Sequence, residues 1–287
     1  MLSPGVGRPR TVRYRFSRIP PNRRRTVPLM PGAEPYRQDG GEVGVLLCHG
    51  FTGTPQSMRP WAEYLAERGL TVSVPLLPGH GTRWQDMQLT GWEDWYAEVD
   101  REFRALSERC DRVFVFGMSM GGALTLRLAA QHGAAVSGIA LVNPSVKADS
   151  HQLKAVPLLR HFVPSVPGIT SDIAKEGSKE VGYDRTPLRA VHSLSRFWKL
   201  VRHGLPQVTQ PLLLLHSRVD HVVHPSNSAV VLSRVSSTDV TETVLERSYH
   251  VATLDHDAET VFEQSYAFVE RLSGAGERAD KEDAASG

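Results

Sequence analysis

The sequence predicts an α/β fold in which a mainly parallel central sheet is flanked by helices on both faces. Short apolar runs rich in β-branched residues recur along the chain and are bounded by Gly, Pro, Asn or Asp, as buried strands are. Stretches of helical length, with apolar residues at helical spacing, lie between these runs. One long insertion interrupts the alternation, and we expect it to form a small cap. Strands and helices that alternate along a chain are typical of parallel sheets with both faces covered.

Strands and helices are predicted in strict alternation outside the insertion. The predicted strands are residues 43–48, 71–77, 112–116, 136–142, 211–216 and 240–245. The predicted helices are residues 57–68, 92–108, 120–131, 225–233 and 257–272. Ligands of open parallel sheets bind beyond the carboxyl ends of the strands, so we expect functional groups on the loops at that edge.

The insertion, residues 145–207, is too long and too apolar for a plain connection between two core strands. It contains five prolines and the apolar clusters AVPLLRHFVPSVPGI and SLSRFWKLV. We expect a helix around residues 188–201 and a cap that shields a pocket, because ligands bind near the strand ends from which the insertion emerges. The alternative is an insertion that only packs on the surface of the sheet.

Segments of different composition flank one predicted domain, residues 30–272. Residues 1–29 carry eight arginines interleaved with prolines and lack the apolar run of a secretory signal. We expect a basic, disordered leader, or a start codon placed upstream of a true start at Met30; a nucleic-acid-binding arm or a transit peptide are the alternatives. Residues 273–287 are small and polar, which predicts a frayed tail.

The composition excludes several classes of partner and location. Lys and Arg number 33 against 31 Asp and Glu, a net charge of +2, so nucleic acid is not an expected partner. No apolar run approaches the roughly 20 residues of a membrane-spanning helix, so no transmembrane segment is expected. The two cysteines, Cys48 and Cys110, lack metal or redox spacing, which favours buried thiols in a reducing, cytoplasmic compartment.

The motif GMSMG, residues 117–121, matches G-x-S-x-G between a predicted strand and a predicted helix. In that context the serine, Ser119, is expected to be a nucleophile on a sharp turn, and the glycines leave room where strand and helix crowd it. The helix that follows directs its N-terminal amides towards the oxyanion that develops there. The alternative is a glycine-rich turn with a packing role.

A serine nucleophile needs a base and an acid that orients the base. In α/β hydrolases these follow the serine in the order acid, then histidine. Asp220 lies just past one late strand and His250 just past the last one, and we assign them as acid and base. Other groups lie nearby in sequence: His216, His221, His224, His256, Asp184, Asp255 and Asp257. The last two are too close to His250 to orient it and are expected to cap the final helix.

Two backbone amides are expected to form the oxyanion hole. Met120, the residue after the nucleophile, supplies one, and Phe51 in the loop HGFTG after an early strand supplies the other. Phe51 is also a candidate for the wall of a substrate pocket. The preceding His49 is expected to have a structural hydrogen-bonding role because the pattern gives it no acidic partner.

The motifs HGFTGTPQSM, PLLPGHG, GMSMGG, RVDHVVHP and SYHVATLDHD together resemble the α/β-hydrolase superfamily, and within it the bacterial monoacylglycerol lipases and related carboxylesterases. The resemblance covers residues 30–272 and implies the α/β-hydrolase fold with a small cap. It implies the same roles that the residues predict: Ser119 as nucleophile, Asp220 as acid, His250 as base, and the amides of Phe51 and Met120 as the oxyanion hole. It adds the substrate class, which is esters of single fatty acyl chains, notably monoacylglycerols, cleaved without a metal or an organic cofactor.

The apolar residues of the cap are expected to hold the acyl chain and to touch a lipid surface transiently: Leu158, Leu159, Phe162, Val163 and Ile169. A general carboxylesterase acting on short or medium chains is the nearest alternative. A carbon–carbon bond hydrolase or a perhydrolase would use the same triad, and a non-enzymatic binding module would keep the pocket alone. Epoxide hydrolases and haloalkane dehalogenases are disfavoured because they need an acidic nucleophile in place of Ser119.

Overall fold

A seven-stranded sheet forms the centre of the computed structural model, which describes residues 27–148, 155–169 and 171–274. Neighbouring strands run parallel except at one edge, where the first strand pairs antiparallel. The predicted leader over residues 1–29 and the predicted tail over residues 273–287 lie almost wholly outside the described residues. The mainly parallel sheet that the sequence predicts is confirmed.

The strands, in chain order, are β1 (Tyr36–Gln38), β2 (Val43–Cys48), β3 (Thr71–Val74), β4 (Arg112–Met118), β5 (Gly138–Val142), β6 (Ser165–Pro167), β7 (Arg185–Pro187), β8 (Leu212–Ser217) and β9 (Val240–Leu245). Their order across the central sheet is β1-β3-β2-β4-β5-β8-β9. The remaining two, β6 and β7, form a separate antiparallel hairpin inside the insertion.

The helices are α1 (Arg59–Ala66), α2 (Trp84–Met87), α3 (Trp92–Ser107), α4 (Met120–His132), α5 (Val156–Leu159), α6 (Leu188–Gly204), α7 (Ser226–Leu232) and α8 (Ala258–Ser273). One face of the sheet is covered by α3, α4 and α6, and the other by α1 and α8. Over the described ranges, none of these helices combines the length and the apolarity needed to cross a membrane.

Both faces of the sheet are buried, and this explains the apolar runs in the sequence. Along β2, Leu46 belongs to the core on the α4 side, whereas Val45 and Leu47 belong to the core on the α1 side. Successive strand residues point to opposite faces, so the positions of a doubly covered strand are largely apolar; Thr71 and Ser73 of β3 are buried polar exceptions. The core of this protein is therefore two apolar layers separated by the sheet.

All six predicted strands and all five predicted helices occur among the described residues. The bounds of β2 and β9 are those predicted, whereas β3 stops before Pro75, which has no N–H to give to the ladder. In the other direction, β4 runs on to Met118 because Met118 still pairs with Val142. One strand of the sheet was not predicted: β1, a three-residue polar strand at the sheet edge, lacks the apolar run that marks the others.

In the described part of the insertion between β5 and β8, α5 is followed by the β6–β7 hairpin and then by α6. This last helix is the one predicted around residues 188–201, and it packs against α3 and α4. The ring of Phe197 stacks on that of Trp92, with centroids 5.2 Å apart. The end of the insertion is thus part of the main apolar core, and its beginning lies further out.

Candidate active site

Ser119 occupies a strained turn between β4 and α4. Its φ of 57° and ψ of −120° are unusual for a residue with a side chain and cost about 1–3 kcal/mol. The turn is fixed to the neighbouring strand end, because the N–H of Ser119 donates to the carbonyl of Val142 at 3.0 Å and its carbonyl accepts from the N–H of Ser145 at 3.0 Å. The serine is 7% exposed, at the edge of the sheet where the parallel strands end.

Gly117 and Gly121 are required because neighbouring backbone leaves no room for a side chain at either position. A Cβ at Gly117 would collide with the carbonyl of Gly121, and a Cβ at Gly121 would collide with the carbonyl of Cys48. The helix α4 then starts directly at Met120, so its first N–H groups have no partner within the helix. These unpaired amides and the helix dipole favour negative charge beside Ser119.

His250 and Asp220 form a buried pair. The Nδ1 of His250 lies 2.7 Å from Oδ2 of Asp220, and the two side chains are 8% and 1% exposed. The other carboxylate oxygen, Oδ1, accepts the N–H groups of Val222 at 2.8 Å and Val223 at 2.7 Å, which fixes the orientation of the acid. The Nδ1–H of His250 donates to the carboxylate of Asp220, so the proton of the neutral ring is on Nδ1. The Nε2 atom of His250 therefore has a free lone pair and can take a proton.

The charges around His250 favour its protonated form. Burial is the largest single influence on its pKa and acts to lower it, but the bond to Asp220 and the charges of Asp220, Glu180 and Asp172 outweigh burial, so the pKa of His250 is raised above its ordinary value. A histidine of this kind is well suited to accept a proton and to hold it while a leaving group departs.

The loop after β2 lies against the serine. A Cβ at Gly50 would lie 3.4 Å from Cβ of Ser119, so the backbone of this loop passes close to the nucleophile. Thr52 has a positive φ of 62°, and its Oγ1 donates to the carbonyl of Phe51 at 2.6 Å. The ring of Phe51 packs edge-on against that of Trp95, 5.9 Å between centroids. Both predicted oxyanion residues, Phe51 and Met120, therefore belong to segments that border Ser119.

His49 bridges two strand ends. Its Nδ1 donates to the carbonyl of Gly50 at 3.0 Å, and its Nε2 accepts the N–H of Leu77 at 3.2 Å. Burial lowers the pKa of His49 to about 4, so the ring is neutral. These contacts give His49 a structural role.

The alternative histidines and acids have partners elsewhere. His216 pairs with Glu242 at 3.1 Å, His224 with Ser226 at 2.9 Å, and His221 with Asp172 at 2.8 Å. The prediction that Asp255 and Asp257 cap the final helix is wrong for their side chains. Asp257 precedes α8, but its carboxylate accepts from the backbone and Nε of Arg247 instead. The carboxylate of Asp255 accepts backbone N–H groups of Ala174, Lys175 and Tyr249.

Asn143 is a site residue that the sequence reading missed. It follows β5 with a positive φ of 45°, donates to the carbonyl of His250 at 2.8 Å and accepts the N–H of Ser217 at 2.7 Å. It therefore joins the ends of β5 and β8 to the loop that carries His250. A single polar residue at the end of a buried apolar strand is the signal that could have identified it.

Glu180 and Asp172 are two further missed residues, both from the insertion. Oε1 of Glu180 would lie 2.6 Å from a Cβ at Gly53, so its carboxyl group borders the loop after β2. Burial raises the pKa of Glu180, and the nearby His250 acts in the opposite direction. The carboxylate of Asp172 accepts the N–H of His250 at 3.2 Å. The insertion therefore brings two carboxylates to the predicted base.

The five predicted acyl-chain residues lie on the outer surface of the insertion. They are markedly exposed: Leu158 68%, Leu159 42%, Phe162 77%, Val163 36% and Ile169 63%. A different apolar group faces the catalytic loops, where Phe51 packs against the buried cluster of Val156, Leu188 and Val191. The sequence identified apolar residues of the insertion but could not tell its inner side from its outer side.

Comparison with known proteins gives consistent matches along most of the chain. The sequence profile of the family described as serine aminopeptidase, S33 matches residues 42–257. A thermostable monoacylglycerol lipase from Bacillus sp. (strain H-257) is 41% identical over 249 residues, which are 86% of this chain and 98% of that protein. A carboxylesterase from Bacillus subtilis (strain 168) is 28% identical over 242 residues, 83% of this chain and 97% of that protein.

A solved structure from a study of LipS and LipT, two metagenome-derived lipolytic enzymes, is similar in both sequence and fold. It is 43% identical, superposes with a TM-score of 0.83, and the match covers 85% of this chain and 99% of that one. The similarity thus extends over the sheet, the catalytic loops and the insertion together.

Proposed function

The chain belongs to the serine aminopeptidase S33 family of α/β hydrolases, and on that premise we propose that it is a carboxylic ester hydrolase whose preferred substrates are monoacylglycerols. The α/β-hydrolase fold predicted from the sequence is confirmed by this membership. The observation that carries the proposed chemistry is the buried 2.7 Å bond between His250 and Asp220, at the sheet edge that also holds the strained Ser119. The similarity to a monoacylglycerol lipase over nearly its whole length supports the choice of substrate.

In the proposed mechanism, Oγ of Ser119 attacks the ester carbonyl carbon while Nε2 of His250 takes the hydroxyl proton. The negative charge that forms on the carbonyl oxygen is stabilised by the N–H groups of Phe51 and Met120. The C–O bond to the alcohol then breaks, and the alcohol leaves with the proton from His250. Water attacks the acyl-enzyme by the same route, releasing the fatty acid and restoring Ser119. Asp220 stabilises the imidazolium in both halves of the cycle.

The position of Glu180 supports a substrate whose leaving alcohol is a polyol such as glycerol. Its carboxyl group borders Gly53 of the proposed oxyanion loop, and its charge raises the pKa of His250, the group proposed to protonate the leaving alcohol. A partly buried carboxylate is stabilised by hydroxyl donors, and the free hydroxyls of a monoacylglycerol offer two of them. A simple alkyl ester offers none, so Glu180 favours the glycerol ester over a methyl ester of the same acid.

The acyl chain is proposed to run along the inner apolar group of Phe51, Val156, Leu188 and Val191. The exposed residues around Leu159 and Phe162 are proposed to touch the lipid surface from which the substrate is drawn. The free thiols Cys48 and Cys110 are consistent with the proposed cytoplasmic location; burial raises the pKa of Cys48 to about 12.

The proposal is tested by measuring fatty-acid release from a series of monoacylglycerols and from methyl esters of the same acids, with intact protein and with Ser119→Ala. We expect the highest kcat/KM on a monoacylglycerol and no activity in the variant. Higher activity on the methyl esters would instead support a general carboxylesterase, which the Bacillus subtilis relative makes the second candidate. Aminoacyl p-nitroanilides belong in the same series, because the family is described by an aminopeptidase activity. Hydrolysis of these alone would overturn the ester-hydrolase proposal.

A further inference from the structure

The insertion returns to the body of the protein through residues 171–183, between β6 and β7. We call this stretch the return segment. Its backbone and side chains make hydrogen bonds to the loops that carry the proposed base, the proposed acid and the proposed oxyanion residue Phe51. One carboxylate, that of Asp172, contacts both the loop of the proposed acid and the loop of the proposed base.

Reciprocal carboxylate contacts join the return segment to the loop of His250. Asp172 accepts the N–H of His250 at its carboxylate, 3.2 Å, and the N–H of Val251 at its own carbonyl, 3.1 Å. In the opposite direction, Asp255 from the histidine loop accepts the N–H groups of Ala174 at 2.7 Å and Lys175 at 2.9 Å. Two acids, one from each segment, therefore fix the position of one segment against the other.

The same carboxylate of Asp172 reaches the loop of Asp220. Oδ2 accepts the N–H of His221 at 3.1 Å, and Oδ1 lies 2.8 Å from Nδ1 of the same residue. The side chain of Asp172 is 10% exposed and that of His221 is 54% exposed, so the carboxylate is largely buried whereas the imidazole ring of His221 faces solvent. Asp172 thus connects the residue after the acid to the base itself.

The far end of the return segment holds the oxyanion loop. The N–H of Tyr183 donates to the carbonyl of Thr52 at 3.0 Å, next to Phe51, and Oγ1 of Thr54 donates to the carbonyl of Val181 at 2.8 Å. The hydroxyl of Tyr183 donates to the carbonyl of Gly79 at 2.8 Å. These bonds keep the segment that bears Asp172 in one place relative to the sheet.

We propose that Asp172 is a positioning residue for the reaction proposed above, because its carboxylate binds the backbone N–H groups of His221 and His250 and so sets the distance between the acid loop and the base loop. Its negative charge also lies where it stabilises the imidazolium that forms when Ser119 attacks. Asp172 touches no reacting atom, and it acts through His250 and Asp220. The inference rests on the proposed ester hydrolysis.

The test compares kcat, KM and the pH profile of Asp172→Asn, Asp172→Ala and Asp184→Asn on a soluble short-chain ester. Asn keeps an acceptor for the backbone N–H groups but removes the charge, and Ala removes both. Asp184 is an exposed acid of the same insertion, so its variant controls for the loss of one charge. The acidic groups that face His250 are Asp220, Glu180 and Asp172, and the two Asp172 variants leave the others intact.

We expect Asp172→Ala to lower kcat about 10- to 100-fold and Asp172→Asn about 3- to 10-fold, with KM changed less than about 2-fold. Removing a charge that raises the pKa of His250 also moves the acidic limb of kcat/KM towards lower pH in both variants. Asp184→Asn should behave as the unmodified protein. A merely structural role would reduce the amount of folded protein without moving the limb.

The outcomes separate this inference from the proposed function. If the unmodified protein cleaves the ester and Ser119→Ala does not, but both Asp172 variants match Asp184→Asn in kcat and pH profile, the positioning role is wrong and the proposed function stands. If Ser119→Ala remains active, the proposed function fails. Should Asp172→Ala not fold, judged by thermal unfolding, the isosteric Asp172→Asn decides alone, and an unshifted limb in it overturns the inference.

Discussion

The two halves of the insertion differ in how they are attached to the molecule. The outer half, residues 155–169, exposes large apolar side chains such as Phe162 and Leu158. The return segment, residues 171–183, has polar groups that are hydrogen-bonded to three catalytic loops. If the proposed function is correct, one insertion serves two purposes: its outer half touches the lipid surface, and its return segment positions the loops of the proposed catalytic residues.

The insertion does not behave as one movable unit if its two segments are attached so differently. Here, opening the whole insertion would break the bonds from Asp172 to His221 and His250 and from Tyr183 to Thr52. Each bond is worth about 0.5–1.5 kcal/mol net, and more where a carboxylate is the acceptor. A motion of the outer half that admits substrate is therefore expected to cost less, because most of its apolar side chains are already in solvent and only Val156 is buried against α6.

The largest effect should come from Asp220→Asn, because this change removes the proposed orienting acid, which lies outside both segments of the insertion. We expect kcat to fall about 10³- to 10⁴-fold, because the amide cannot hold His250 in the right tautomer or stabilise its charge. The fall should be equal on long-chain monoacylglycerols and on soluble short-chain esters. The check is steady-state release of fatty acid from both, and a loss under 10-fold would mean that Asp220 is not the orienting acid.

Glu180→Gln should have the next largest effect, and only on esters whose alcohol carries free hydroxyl groups. We expect kcat/KM for a monoacylglycerol to fall about 10- to 100-fold, since hydrogen bonds to a charged acceptor are lost, while the methyl ester of the same acid changes less than about 3-fold. Glu176→Gln is the matched control, an exposed acid of the same return segment. Equal losses on both esters would show that Glu180 acts on His250 and not on the glycerol.

Changes in the outer half should be smaller and depend on the physical state of the substrate. The double change Leu159→Ser and Phe162→Ser should lower hydrolysis of emulsified long-chain monoacylglycerols about 10-fold, because it removes apolar area that would be buried against lipid. Hydrolysis of soluble short-chain esters should not change.

The control for the outer half is Val240→Ser, which changes an exposed apolar residue at the beginning of β9, remote from the strand ends that bear the site. It should leave both activities as they are. If the double variant lost activity on both classes of ester, its residues would belong to the catalytic part of the insertion, and the division into two halves would fail.

The smallest predicted effect is on the pH profile of the unmodified protein. Activity requires neutral His250, and the raised pKa of His250 keeps it protonated to a higher pH than an ordinary histidine. The acidic limb of kcat/KM should therefore have its midpoint above the usual value of about 6.5. A profile measured between pH 5 and pH 9 with a non-ionising ester checks this, and a midpoint at or below that value would contradict it.

The sequence was sufficient for six of the seven strands of the central sheet and for the location of Ser119, Asp220 and His250 just beyond strand ends. Strands buried on both faces are largely apolar, so they stand out as runs, and Ser119 and Asp220 follow two such runs, β4 and β8. His250 instead follows β9, which is mostly exposed. G-x-S-x-G is equally local, because Gly117 and Gly121 are needed by contacts within one turn. Local patterns such as apolar runs and G-x-S-x-G can be recognised in a sequence without knowledge of the fold.

The return segment could not be predicted, because its contacts are remote in sequence and lack periodicity. Asp172 lies 49 positions from His221 and 78 from His250, and nothing in the string SDIAKEGSKEVGY indicates either partner. The prediction of acyl-chain residues from hydrophobicity includes Phe162 but not Val156, because hydrophobicity does not show which of the two side chains is buried. Apolar character is visible in the sequence, but the side of the insertion on which it lies depends on the packing of α6.

The most direct test of the central claim is to identify the nucleophile by covalent labelling. The protein would be incubated with a long-chain alkylphosphonate that carries a p-nitrophenyl leaving group, so that attack on phosphorus releases p-nitrophenolate and leaves a phosphonylated side chain that mimics the tetrahedral intermediate, and the modified peptide would be identified by mass spectrometry. We predict a single adduct on Ser119, formed at least about 10³-fold more slowly in Asp220→Asn. An adduct on another residue, or an equal rate in that variant, would contradict the assignment of Ser119 as a nucleophile activated by His250 and Asp220.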